Sequence, residues 1–134
     1  MAAINFQPRR GAILMCDFDM ARGDPEMRKK RQAIVMSIVN LNHRHGLAPG
    51  HCTIVPTSAE PPKTEGPEDI LIPVGKYWSF KEDSWVRCKM LMTISHTRLE
   101  MLLHKRGIPR VSEFIDAGDM QRIEAGIRYV LRLP

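Results

Sequence analysis

Short apolar runs separated by turn residues dominate the chain. Residues 12–18, Ala-Ile-Leu-Met-Cys-Asp-Phe, follow the turn signal Gly11 and are few enough for a buried strand. Residues 21–30 are charged and carry Gly23 and Pro25, which excludes regular structure, and residues 32–37 return as a second strand. Residues 52–55 read as a third. Pro56 has no amide proton and is expected to stop that ladder, so Thr57 and Ser58 should emerge at a strand end beside a loop. Residues 60–69, EPPKTEGPED, form a surface excursion, and residues 70–73 a short strand at a sheet edge, where Pro73 is tolerated. Residues 85–94 alternate well enough to predict the longest strand. Ser95 is placed to cap a short helix over 98–103, ended by Gly107 and Pro109. The last element is the clearest: Asp119 as N-cap, Met120, Ile123, Ile127 and Val130 at helical spacing, and Glu124 with Arg128 as an i,i+4 pair.

Several short strands and one terminal amphipathic helix predict a mostly β (α+β) fold, a small, strongly bent antiparallel sheet or barrel capped by the helix. With 134 residues, the expectation is one domain over 1–134. Cys16, Cys52 and Cys88 are odd in number and form no CxxC pair, which favours small core hydrophobes in a reducing compartment over a disulfide framework. Neither a membrane-spanning run nor a secretory h-region stands out, so the expected location is cytoplasmic.

Charge adds a direction. Twenty Lys and Arg stand against 15 Asp and Glu, a net +5, which is compatible with a nucleic-acid partner without requiring one. Arg28, Lys29, Lys30 and Arg31 run straight into the second strand, and four adjacent cations repel one another unless a polyanion or carboxylates offset them. The bland alternative is a solvated loop balanced by Asp24 and Glu26. Arg31 differs from the others because it adjoins the strand, where sheet hydrogen bonds would hold its backbone. His43, Arg44, His45, His51 and Cys52 are dense in potential ligands, but their spacing matches no zinc pattern, so no metal is expected there. Trp78 and Trp85 are core anchors by default and base-stacking candidates second. Gly-rich phosphate loops, HExxH and GxSxG are absent from the sequence.

The order of motifs resembles the PemK/MazF family of toxin endoribonucleases from type II toxin–antitoxin modules. The resemblance rests on Gly11-Ala12-Ile13-Leu14-Met15-Cys16-Asp17-Phe18, then Lys30-Arg31-Gln32-Ala33-Ile34-Val35-Met36-Ser37, then Thr53-Ile54-Val55-Pro56-Thr57-Ser58. It continues through Trp85-Val86-Arg87-Cys88-Lys89-Met90, Ile94-Ser95-His96-Thr97-Arg98-Leu99 and the helix from Asp119 to Leu131. The resemblance implies an SH3-like, CcdB/PemK-type barrel that forms a homodimer and cuts single-stranded RNA without a metal or other cofactor. A cognate antitoxin would fill its RNA groove. It carries the family's catalytic arginine onto Arg31 and its catalytic hydroxyl onto Thr57 or Ser58, with Thr57 preferred, while Arg28, Lys29, Lys30, Arg44 and His45 would bind RNA. His45 is also a candidate base. Two departures are visible: Gln32 stands where the family usually has proline, and the segment after Pro56 is one residue shorter than in many relatives. Two other readings share the barrel: a CcdB-like toxin that binds gyrase without catalysis, and a catalytically inactive RNA- or DNA-binding module.

Overall fold

The computed structural model describes residues 3–18, 30–46, 48–103, 109–110 and 113–134. The charged loop of 21–30, including Arg28 and Lys29, lies outside these residues apart from Lys30, as does Gly107.

Strand β1 is Ile13–Asp17, β2 Lys30–Val35, β3 His51–Ser58, β4 Asp69–Ile72, β5 Ser84–Arg87, β6 Met92–Ser95, β7 Leu99–Glu100, β8 Leu102–Leu103 and β9 Pro109–Arg110. Helix α1 is Ala117–Leu131. Among the described residues, seven strands form one antiparallel sheet in the order β4-β5-β3-β2-β1-β7, with β6 also on β3, while β8 pairs with β9. The predicted antiparallel architecture with a C-terminal helix is therefore present.

Strand β3 is the hub. Its first half pairs with β6 from His51↔Ser95 to Ile54↔Met92, and its end pairs with β5 through Thr57↔Val86 and Ser58↔Trp85. On its other edge it meets β2 through Ala33↔Pro56, Ile34↔Val55 and Val35↔Ile54. Pro56 thus does not end the strand, contrary to the sequence-based expectation. The longest strand is β3 with 8 residues, and the predicted long strand over 85–94 is broken by a 3₁₀ turn at Cys88–Met90 that separates β5 from β6. That break lets the two halves pair with different ends of β3.

Both faces of the sheet are covered, which explains runs of adjacent apolar residues in place of strict alternation. Ile13, Ile34 and Val55 face one cluster with Phe80, Val86 and Ile123 of α1. Leu14, Cys16, Ala33, Val35 and Ile54 face the other, closed by Ile4 near the N-terminus. All three cysteines are buried and free, and burial pushes each thiol up to about 12. Their role as core hydrophobes holds.

The helix begins three residues earlier than expected. Asp116 is the N-cap, and its carboxylate accepts from the Asp119 amide at 2.7 Å. Asp119 is instead a buried hub that accepts from the Tyr77 hydroxyl (2.7 Å), Lys76 Nζ (2.7 Å) and Arg122 (2.9 Å). Burial alone would raise its pKa, but those three hydrogen bonds outweigh it and hold the carboxyl below its ordinary range. Glu124, expected to pair with Arg128, accepts from Arg10. Ser95 does cap the next turn, accepting from the Thr97 amide, but the turn is a 3₁₀ segment, His96–Arg98, that runs into β7 instead of a helix. Leu99 is fully buried beside Cys16 across the β1–β7 ladder, and that burial favours the strand.

Candidate functional site

The site lies where β2 begins and β3 ends. Lys30, Arg31, Gln32, Thr57, Ser79 and Lys81 all line a cleft of about 250 Å³ there. Lys30 is held by Glu100 across the sheet at 2.9 Å. Gln32 occupies the position where proline was expected from the family resemblance, and hydrogen bonds fix it from two sides. Its side-chain amide donates to Ser79 O at 2.6 Å, and its own carbonyl accepts from Thr57 Oγ1 at 2.9 Å. Ser79 is anchored in turn by the buried Glu113 carboxylate, which accepts from its amide at 3.3 Å and from its hydroxyl. The backbone beside Arg31 is therefore held without a proline ring.

Arg31 is half-buried and stands opposite Cys16 in the β1–β2 ladder. Its Nε is buried without a hydrogen-bond partner among the described residues. A buried donor left without an acceptor costs about 1–3 kcal/mol, more for a charged group, so such a position calls for an explanation. Arg87 Nε is similarly orphaned, but that guanidinium is otherwise engaged with Asp69 at 3.8 Å and with Glu60 O at 2.9 Å. An external anion is the natural complement of Arg31.

The two candidate hydroxyls differ. Thr57 lines the cleft but is 1% exposed, and it donates its proton to Gln32 O. Ser58 is 7% exposed, and its Oγ accepts from the Glu60 amide at 3.1 Å, which leaves the hydroxyl proton uncommitted. The β2–β3 ladder ends at Ala33↔Pro56, and beyond it Thr57 and Ser58 pair with Val86 and Trp85 of β5. The cleft that Arg31 lines includes Thr57 and Ala59 but not Ser58. Thr57 has spent its only donor on Gln32 O, whereas Ser58 Oγ only accepts among the described residues.

Arg44 and His45 belong to the loop that feeds the opposite end of β3. Six residues separate His51 from Thr57 along that strand, about 20 Å at roughly 3.3 Å per residue. Arg44 donates to Ile4 O at 3.2 Å, and the exposed His45 stacks edge-on with His43 at 4.7 Å. The structure brings neither to the cleft. Conversely, Ser79, Lys81 and Glu82 line it although the sequence reading did not single them out. They come from a loop about fifty positions downstream of β2, and their only local signal is the charged run Lys81-Glu82-Asp83.

Comparison with known proteins supplies the context. No curated protein matches the chain by sequence. Among solved structures, MazF from Deinococcus radiodurans superposes with a TM-score of 0.65 at 15% identity, covering 95% of this chain and 98% of that one. A MazE–MazF complex from the same organism gives 0.61 at 14%, covering 96% and 99%. An endoribonuclease in complex with its cognate antitoxin from a mycobacterial species gives 0.61 at 15%, covering 95% and 97%. At such identities these likenesses establish the fold. The sequence profile of the PemK-like, MazF-like toxins matches residues 9–131, nearly the whole chain. The chain therefore belongs to the PemK-like, MazF-like toxin family of type II toxin–antitoxin systems.

Proposed function

We propose that this chain is a metal-independent, sequence-specific endoribonuclease that cuts single-stranded RNA in the cytoplasm, acts as a homodimer and is silenced by a cognate antitoxin. The observation that carries the reading is the Arg31 guanidinium, buried at Nε without an acceptor among the described residues and lining the cleft at the end of β3, the strand that carries Thr57 and Ser58. Two relatives of the same fold add support, one described as an endoribonuclease bound to its antitoxin and one as a MazE–MazF complex.

In the proposed reaction the ribose 2′-oxygen attacks the adjacent phosphorus in line, its proton leaves to a base, and the bond to the 5′-oxygen breaks as that oxygen takes up a proton from water. The products are a 2′,3′-cyclic phosphate and a 5′-hydroxyl. Negative charge builds on the nonbridging oxygens, and Arg31 stabilises it as a fixed cation that stays protonated throughout. Ser58 donates to one of those oxygens, and Thr57 holds the Gln32 carbonyl and with it the backbone next to Arg31. With the charge stabilised by a guanidinium, the chemistry needs no metal.

The test is incubation of a long RNA with the purified protein in excess EDTA, followed by primer extension and end-group analysis. Discrete cuts ending in 2′,3′-cyclic phosphate are expected. Intact RNA would overturn the reading and favour the gyrase-binding alternative, whereas salt-sensitive binding without cuts would favour the inactive module.

A further inference from the structure

Next to the polar cleft lies a second cavity of about 300 Å³, and the two share Lys30, Gln32, Ser79 and Lys81 as lining. The hydrogen bond from Gln32 to Ser79 O stands between them as a strap. The second chamber differs in character: its walls include Met15, Trp78, Met101 and Leu102. Trp78 is half-buried, and Lys81 Nζ sits 6.0 Å from the centre of its ring. Met15 lies directly across β1–β2 from Gln32, so the same strand pair carries one residue of the apolar wall and the strap.

We infer that this chamber is a nucleobase subsite, in which Trp78 stacks on one base of the RNA whose phosphodiester lies by Arg31. The inference rests on the endoribonuclease reading and deepens it. A polar cleft that carries Arg31 and Lys81 beside Glu82, joined directly to a largely apolar chamber with an aromatic wall and Glu100 at its Lys30 end, matches the two halves of a nucleotide. Phosphates meet Arg31 and Lys81, while the base exchanges water for the indole face and two methionines. The pocket volume is at the lower end of the range for small-ligand sites, the scale of one base and its sugar.

Trp78 and Trp85 are the two tryptophans of the sequence, so a Trp85→Phe background isolates the emission of Trp78. The probes are four 2′-O-methyl homopolymer hexamers, which bind but lack the attacking hydroxyl. Saturable quenching that differs among the four bases is expected. Trp78→Leu should weaken binding of the best hexamer about 5- to 150-fold, the range measured for loss of one stacked base, while Trp78→Phe should keep most of the affinity. With cleavable RNA, Trp78→Leu should raise KM and relax the preferred base at one position near the cut while kcat falls less. Absence of quenching by every hexamer, or unchanged affinity, KM and base preference in a folded Trp78→Leu variant, would overturn the subsite. Quenching without RNA cleavage by the parent protein would retain the subsite and remove the nuclease reading, so the two fail separately.

Discussion

At the scale of single residues the orphaned Arg31 Nε and the different commitments of the Thr57 and Ser58 hydroxyls make a sharp prediction. Arg31→Ala should lower cleavage by at least the 10²–10³-fold typical of one lost transition-state donor, with circular dichroism unchanged. Arg31→Lys should recover only part, because an ammonium cannot engage two phosphate oxygens with a planar fork. Ser58→Ala should fall in the same range as Arg31→Ala. Thr57→Val, in contrast, should lower stability by about 1 kcal/mol through loss of its bond to Gln32 O while leaving kcat within a few-fold. Single-turnover cleavage beside denaturant melts of both variants is the check, and an inert, stable Thr57→Val with an active Ser58→Ala would reverse the assignment. The rank order of the two hydroxyls could not be read from their neighbours in the chain. It depends on which donor the fold has already consumed.

At the scale of elements, α1 depends on its cap and on one close approach. Asp116→Ala removes the acceptor for the Asp119 amide and should cost about 1 kcal/mol in urea unfolding. Gly126 lies where a Cβ would come 2.7 Å from Cys88 Sγ and 3.3 Å from Pro67 O, so the helix seats on the 3₁₀ turn between β5 and β6 only with glycine there. Gly126→Ala should therefore destabilise by about 1–3 kcal/mol despite the better helix propensity of alanine, and a rise in the melting temperature would contradict this seating. Helical periodicity from Met120 to Val130 was legible because a surface helix buries one stripe. The bend at Cys88–Met90 was not, since a strand changing partners keeps the same apolar alternation on both sides of the break. Pro56 misled for a related reason: it pairs with Ala33 at the point where β3 passes from one set of neighbours to the next, so the missing amide proton did not end the strand.

At the scale of the whole molecule, two buried titratable groups shape the response to acid. His96 is fully buried, its Nδ1 accepts from the Gly50 amide at 3.3 Å, and desolvation, reinforced by Arg44, holds its pKa below the ordinary value. A histidine kept neutral by the fold contributes stability above its unfolded pKa of about 6.5, and that contribution is lost as pH falls through the depressed folded value. Asp119 follows in a lower window: its contribution is present above the ordinary carboxyl pKa of about 3.9 and is lost as pH falls through the depressed one. Melting temperature against pH should therefore decline in two stages. His96→Gln, which keeps an acceptor for the Gly50 amide without titrating, should flatten the upper stage alone; an unchanged upper stage would remove His96 from this role.

The chain's own order of residues settles a good deal. Consecutive apolar positions in 12–18 and 32–37 specify strands, the spacing from Met120 to Val130 specifies a helix, and the motifs from Gly11 to Ser58 specify the family, because each is a local pattern with a local cause. Contacts between distant segments decide the remainder. Gln32 is clamped by Ser79, Thr57 is spent on the Gln32 carbonyl, and the cleft is completed by a loop that follows β4. No pattern within either segment encodes these contacts. Hydrogen-bond partners and shared faces follow from strand register, and register exists only once the sheet has formed.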